Sequence, residues 1–231
     1  MAYFLAIETA TKVCSVAVFE NNSLMAVKEE NGDYSHAENL AVFADELLEK
    51  CSIKTSQLSA VFVSKGPGSY TGLQIGVSFA KGLCYALKIP LISIETLKSM
   101  AWGFINKNTS DLTKGYLVCP MIDARRMEVY TAIYQHDLVE TKSVTADIIE
   151  EDSYLEFLAR HQVFFIGDGA NKCKDVIQHK HADFSSEVLP SAVYLGQLGY
   201  EKFEKKQFED VAYFEPFYLK EFVALKGKKL V

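Results

Sequence analysis

The chain has 231 residues, 49% of them hydrophobic and 23% charged, with only 5 prolines, a balance that excludes a disordered or low-complexity protein. A formal charge of −6 excludes the basic footprint of a protein that binds nucleic acid unaided. This length can bury a large core, as one big domain or two small lobes.

Residues 2–7 are apolar but too few for a secretory or membrane segment, and Glu8 interrupts them, so a cytoplasmic protein with no membrane partner is expected. Leu5-Ala6-Ile7 and Ser15-Val16-Ala17-Val18-Phe19 read as strands, and Asn21-Asn22 as a tight turn into a third strand from Leu24 to Glu29. Ser35-His36-Ala37-Glu38 has the form of a capping box. It opens a helix with Leu40, Phe43, Ala44, Leu47, Leu48 and Cys51 on one face.

An apolar strand from Ala60 to Ser64 then runs into Lys65-Gly66-Pro67-Gly68-Ser69-Tyr70-Thr71-Gly72, a glycine-rich loop before a helix over about 73–88. Exposed N–H groups in such a loop attract phosphate. The spacing nevertheless fits neither standard motif. Gly72 is followed by Leu73 and the next lysine is Lys81, so this is no P-loop. Gly66, Gly68 and Gly72 give Gly-x-Gly-x-x-x-Gly, one residue too long for a dinucleotide fingerprint, with Glu95 as a candidate ribose ligand. The strand Leu91-Ile92-Ser93-Ile94 completes the order βββαβαβ, and three strands and a helix before the loop argue against a dehydrogenase.

The second half repeats the first. Ile7-Glu8-Thr9-Ala10-Thr11-Lys12-Val13 aligns with Ile122-Asp123-Ala124-Arg125-Arg126-Met127-Glu128 at an offset of 115, which also carries the strand at 15–19 onto 130–134. Val163-Phe164-Phe165-Ile166 followed by Gly167-Asp168-Gly169 matches Val61 to Gly68. Three correspondences in the same order predict a duplicated lobe with a cleft between the copies. The five cysteines, Cys14, Cys51, Cys84, Cys119 and Cys173, are scattered without Cys-x-x-Cys pairs and read as reduced core thiols.

Taken together, IETAT, SHAENL, KGPGSYTGLQIGVSFAKGL, MIDARRMEVY and GDGA resemble the bacterial TsaB (YeaZ) proteins of the actin/sugar-kinase/heat-shock-protein superfamily, over most of the chain. GPGSYTGL and DARR are the most specific pieces, and Pro216-Phe217-Tyr218-Leu219 is compatible. The resemblance implies an α/β fold of two tandem ribonuclease-H-like (actin-like ATPase) lobes, each a mixed sheet of order βββαβα with flanking helices. Residues 1–112 would form the N-terminal lobe with the partner-binding helices, and residues 113–231 the C-terminal lobe, its last helix packing back on the first. The function implied is that of a non-catalytic subunit in the synthesis of N6-threonylcarbamoyladenosine at position 37 of tRNAs reading ANN codons. Its partners would be the catalytic subunit TsaD in a heterodimer and the ATPase TsaE, with a homodimer when alone. Contact with tRNA would be indirect, through the complex.

The residues themselves bear on whether the chain is an enzyme. Nucleotide-binding lobes of this superfamily place glycine close after the acid, and neither Glu8-Thr9-Ala10-Thr11 nor Asp123-Ala124-Arg125-Arg126 has one. The chain is expected to have no cofactor of its own, with ATP or ADP only at an interface with partner subunits. Phosphate candidates are Glu8, Thr11, Asp123, Arg125, Arg126, Gly167 and Gly169, the arginines because guanidinium forks suit phosphate oxygens. The alternative for Arg125 and Arg126 is pairing with neighbouring acids such as Glu128. The five histidines never fall at His-x-x-x-His, so no catalytic metal is expected, and His179-Lys180-His181 reads as a solvated turn. Ser69 lacks a Gly-x-Ser-x-Gly context and is expected to cap the helix behind it rather than act as a nucleophile. A small-molecule kinase or ATPase of the same fold, or a peptidase-like hydrolase, remain the alternatives.

Gly72, Gly76, Ala80 and Cys84 recur every four residues, a small-residue stripe that would let another helix approach closely. Val42 lies off the main stripe of the first helix, so the two helices could present an apolar patch; the competing reading is that this lobe covers them itself. The resemblance implies that they bundle with TsaD or a second copy. The expected contact residues are His36, Leu40, Phe43, Leu47, Ser69, Tyr70, Thr71, Gly72, Leu73, Gly76 and Ala80.

Overall fold

A computed structural model describes residues 1–32, 36–108, 115–185 and 187–220. The strands β1 (Tyr3–Glu8), β2 (Val13–Glu20), β3 (Ser23–Asn31), β4 (Leu58–Gly66) and β5 (Leu91–Glu95) form one sheet in the order β3-β2-β1-β4-β5. The first three are an antiparallel meander, and β4 and β5 run parallel to β1 behind the helices α1 (His36–Lys50) and α2 (Tyr70–Leu87). Helix α3 (Thr96–Lys107) leads to the second half. There β6 (Leu117–Asp123), β7 (Glu128–Gln135), β8 (Glu140–Ile148), β9 (Val163–Ile166) and β10 (Ala182–Asp183) repeat the topology as β10-β9-β6-β7-β8.

The duplication expected from the sequence is therefore present in the strand order, with one difference. Glu8 pairs with Ser15, whereas Asp123 pairs with Val129, one residue earlier than the constant offset requires. The second hairpin is shorter by that residue because its turn is tighter. The helices differ more. Where the first lobe has α1 and α2, the second has the single turns α4 (Leu155–Leu158) and α5 (Ala170–Cys173). Among the described residues only the first lobe carries a pair of long outer helices.

Both faces of β1 are covered, which is why it reads as one apolar run rather than an alternation. Leu5 and Ile7 join Leu40, Phe43 and Val77 under α1 and α2. Phe4 and Ala6 join Phe62, Leu195 and Leu198 under α6 (Ala192–Glu204). The two crossover helices exchange sheets: α3 inserts Leu97, Met100 and Phe104 among Val118, Ile122 and Phe164 of the second sheet, while α6 returns to the first. They meet at Gly103, where a Cβ would lie 2.8 Å from the ring of Tyr194. Each lobe thus owes part of its core to the other half of the chain. The division expected between residues 112 and 113 lies outside the described residues. Four of the five free cysteines are buried and Cys51 is half-buried.

Candidate interaction site

The glycine loop is shaped by the first hairpin of the same lobe. Ser69 caps α2 by accepting the Gly72 N–H at 3.3 Å, so the helix begins at Tyr70, earlier than its apolar pattern suggests. The Ser69 N–H donates to the Ala10 carbonyl at 2.6 Å, and the Thr9 hydroxyl donates to the Gly72 carbonyl at 2.8 Å. A Cβ on Gly68 would lie 2.3 Å from the Ala10 oxygen, one on Gly72 2.1 Å from the Thr9 carbonyl oxygen, and one on Gly76 2.2 Å from the Thr9 hydroxyl. The small-residue stripe is the seat of the Thr9-Ala10 turn. This corrects the expectation that it receives a partner helix.

Most other expected contact residues are likewise used inside the chain. Leu73 and Ala80 are fully buried, and Leu40, Phe43 and Leu47 are close to it. Leu40, Phe43, Leu47 and Ala80 are apolar residues on the inner faces of α1 and α2, and they pack with Leu5, Ile7 and Val63 of the first sheet. His36 is buried, its Nε2 bonded to the Thr11 carbonyl at 2.7 Å, so it is neither a solvated first-turn residue nor an exposed contact. Ser69, Tyr70 and Thr71 remain exposed. Ser35, the expected cap of α1, lies outside the described residues.

The outward side of α2 is a different stripe. Thr71, Ile75, Phe79, Gly82 and Ala86 follow one another at helical spacing, exposed or half-buried, and Val42 of α1 is 49% exposed. Gly82 sits in the middle, and a Cβ there would meet nothing within 4 Å. Glycine costs a helix interior about 1 kcal/mol relative to alanine, so its presence is unexplained by this chain's own packing. Gly82 carried a signal in the sequence, a glycine off the four-residue stripe, that the stripe itself overshadowed.

The phosphate candidates separate into two places. Glu8 and Thr11 stay in the first lobe. The Glu8 carboxyl is wholly buried; its Oε1 accepts the Ala10 N–H and the Ser64 hydroxyl, both at 2.7 Å, while Oε2 has no partner. Burial pushes its pKa up to about 7 against the pull of these bonds. In the second lobe Asp123, Arg125, Arg126, Gly167 and Gly169 come together. A Cβ on Gly167, at φ 101°, would lie 2.3 Å from the Met121 oxygen, and one on Gly169 2.9 Å from the Ile122 carbonyl carbon. These glycines let the β9–α5 turn press against β6 rather than admit phosphate. Asp168 Oδ1 accepts the Asp123 N–H at 3.1 Å, and burial raises its pKa.

A nucleotide held between the two acid turns does not fit these residues. In the first lobe the turn backbone is covered by Gly68, Gly72 and Gly76, and in the second the Lys172 ammonium is bonded to Asp123 where a cation would be needed. Glu95, the candidate ribose ligand, pairs with Lys65 at 2.7 Å. Burial opposes its ionisation, but the hydrogen bond from Lys65 and the charges of Lys202 and Lys65 outweigh this and lower its pKa. Among the described residues no three His, Cys, Asp or Glu side chains gather as a metal site.

Arg125 and Arg126 both have left-handed backbones, φ 69° and 49°. Asn and Gly take such backbones far more readily than arginine does, and the Glu128 N–H bond to the Arg125 carbonyl closes the turn over Arg126 and Met127. Neither guanidinium has a hydrogen bond or ion pair among the described residues, and Glu128, their expected acid partner, bonds Lys220 instead. Replacing the two arginines by Asn-Gly is expected to relieve strain of about 1–2 kcal/mol and raise Tm by about 3–6 °C in calorimetry.

The last described segment straps this site. The Glu209 N–H donates to the Leu91 carbonyl, pairing the chain with the edge of β5, and Lys81 holds the carbonyls of Ala212 and Phe214 at 3.2 and 2.8 Å. The Phe217 N–H then donates to the Lys65 carbonyl at 2.7 Å, and Tyr218 stacks on Tyr70 with centroids 4.5 Å apart. The strap covers an otherwise open edge strand.

The family model described as TsaD, tRNA N6-adenosine threonylcarbamoyltransferase, matches residues 30–227. A tRNA threonylcarbamoyladenosine biosynthesis protein TsaB from Bacillus subtilis is 32% identical over 178 residues, 75% of this chain and 74% of that protein. The chain belongs to the TsaB family. The Escherichia coli TsaB is 35% identical to this family member over 133 residues, 58% of this chain but only 55% of that protein. The structure of YeaZ from Pseudomonas aeruginosa superposes on 95% of the chain with a TM-score of 0.78 at 25% identity, covering all of that protein. The two-lobed actin-like architecture expected from the sequence is the architecture of this TsaB-family chain.

Proposed function

We propose that this chain is the non-catalytic partner subunit in the synthesis of N6-threonylcarbamoyladenosine at position 37 of tRNAs reading ANN codons. The observation that carries this reading is the outward stripe of α2, an apolar helix face centred on Gly82, a glycine with nothing packed against it. A small residue at the centre of an exposed apolar face suits close approach of a helix from another subunit. That subunit is TsaD, bound as a heterodimer, and a second copy of this chain takes its place in a homodimer when TsaD is absent. The match of the chain to the TsaD family model supports a TsaD-related assembly. TsaE is the third, ATP-hydrolysing component, and the complex acts on tRNA in the cytoplasm. No helix among the described residues is long and apolar enough to cross a membrane.

The covered acid turns support a chain that does not itself turn over ATP. Ser69 commits its hydroxyl to the Gly72 N–H, which weighs against the hydrolase alternative. Nucleotide enters this reading only at the interface with a partner, where Arg125 and Arg126 offer to phosphate guanidinium groups that are unpaired among the described residues. The test is reconstitution of the tRNA modification from TsaD, TsaE, the donor synthase and tRNA, with and without this chain. Omission is expected to lower the yield of modified tRNA by at least about 100-fold, a loss of about 2.7 kcal/mol in effective barrier. The chain alone is expected to hydrolyse ATP at the rate of buffer. Full modification without the chain, or steady hydrolysis by it that is lost in Glu8→Gln or Asp123→Asn, would overturn the reading.

A further inference from the structure

The turn between β6 and β7 is assembled around an ammonium group. Lys172 of α5 directs its Nζ at Asp123 Oδ1, the Arg126 carbonyl at 2.7 Å and the Glu128 carbonyl at 2.6 Å. An ammonium has three N–H donors, and all three are used. The same Asp123 oxygen accepts the Arg125 N–H at 2.8 Å, and the Glu128 N–H donates to the Arg125 carbonyl at 3.3 Å. One cation therefore ties together the acid before the turn, the second turn residue and the first residue of β7. The corresponding hairpin of the first lobe has no residue with positive φ between Glu8 and Val13, and there the turn is held by Thr9 and Ala10 packing on α2.

The fold does not require arginine at this turn, since Asn and Gly adopt positive φ at less cost. Two consecutive arginines are instead held in left-handed conformations with both guanidinium groups exposed and unpaired among the described residues. Strain kept in place by surrounding bonds belongs to a site that uses it. One carboxylate and two carbonyls form the hard oxygen set that a small cation takes, and here the cation is covalently part of the chain.

We propose that Lys172 is the resident cation of this turn, a positioning residue that locks Arg125 and Arg126 in the orientation from which they meet a phosphate-bearing ligand. The second half of this statement rests on the reading that these arginines contact phosphate at a partner interface. The seat itself does not. Without Lys172 the Asp123 carboxylate loses its counter-charge, the Arg126 carbonyl loses its donor and the Glu128 carbonyl keeps only the Ala124 N–H at 3.1 Å, so the two arginines are free to relax to right-handed backbone.

The test uses the full chain as Lys172→Ala, with inorganic pyrophosphate as the anionic probe and n-propylammonium as the replacement cation. Hydrogen exchange at the Arg125 and Glu128 amides is expected to speed up at least tenfold in the variant, and pyrophosphate affinity to fall about tenfold. Added n-propylammonium is expected to restore part of both, while tetramethylammonium, which has no N–H, restores neither. Unchanged exchange in Lys172→Ala would overturn the proposal, as would a loss of affinity with the turn still protected, because Lys172 would then act directly on the anion. Arg125→Gln with Arg126→Gln separates the two halves. Undiminished pyrophosphate binding in that variant would sink the phosphate reading while leaving the cation seat standing.

Discussion

Gly72→Ala is expected to cost the fold about 3 kcal/mol, a fall in Tm of about 6–12 °C, whereas Gly82→Ala is expected to raise stability by about 1 kcal/mol. The two glycines lie on the same helix, Gly72 in its first turn and Gly82 in its interior, and they differ above all in what faces them. A methyl on Gly72 would lie 2.1 Å from the Thr9 carbonyl oxygen, a backbone atom in a fully buried turn that cannot give way without moving β1. A methyl on Gly82 meets no atom within 4 Å and gains the helix propensity that glycine forgoes. Association should respond in the opposite sense. Gly82→Leu is expected to keep the fold and to weaken homodimerisation, or binding to TsaD, by at least about tenfold, near 1.4 kcal/mol. Differential scanning calorimetry and sedimentation of the same samples separate the two effects. Unaltered association in Gly82→Leu would remove α2 as the docking face, and an undisturbed Tm in Gly72→Ala would mean that the Thr9-Ala10 turn is not seated as described.

That contrast shows where the sequence was legible and where it was not. The order of strands, the duplicated lobe and the Ser69 cap follow from local signals: alternation, turn residues and the placement of a hydroxyl before a helix. The direction faced by a small-residue stripe does not. Gly72, Gly76 and Ala80 at four-residue spacing announce close approach on one side of α2, but a partner helix and a turn of the same lobe leave the same pattern. For the same reason periodicity alone assigns neither α3 nor α6 to a sheet, and the return of the last helix to the first lobe is implied only by the family resemblance. Leu97, Met100 and Phe104 mark a buried face without saying which core receives it, and each helix covers the sheet of the other half. Periodicity also hid the one-residue contraction at Arg125-Arg126, because an offset fixed by the strand before the turn carries on unbroken through the strand after it.

The stability of the protein is expected to fall by about 3 kcal/mol between pH 4.5 and pH 7 because of Glu8 alone. The group is wholly buried at the end of β1, and the lack of a partner on Oε2 makes its ionised form costly. Burial lifts its pKa from an ordinary 4.5 to about 7, while hydrogen bonds from Ala10, Ser64 and Thr9 limit the rise. A folded-state pKa above the unfolded one means that the folded protein binds more protons inside this window. The contribution is therefore fully present below pH 4.5, is lost as the pH climbs through 7, and is flat beyond it. Glu8→Gln keeps an oxygen for the Ala10 and Ser64 donors and removes the charge. It should match the parent near pH 4.5 and exceed it by about 2 kcal/mol at pH 8 in urea titrations, the unpaired amide N–H taking back part of the gain. Every other carboxylate is common to both proteins, so the difference between their pH profiles isolates this one. Profiles that run parallel from pH 4.5 to 8 would show that Glu8 does not titrate in this range. Ser64→Ala sharpens the comparison: it removes a donor to the carboxylate, so the decline should be steepest at a higher pH than in the parent. A shift to lower pH would mean that the Ser64 hydroxyl stabilises the protonated acid instead.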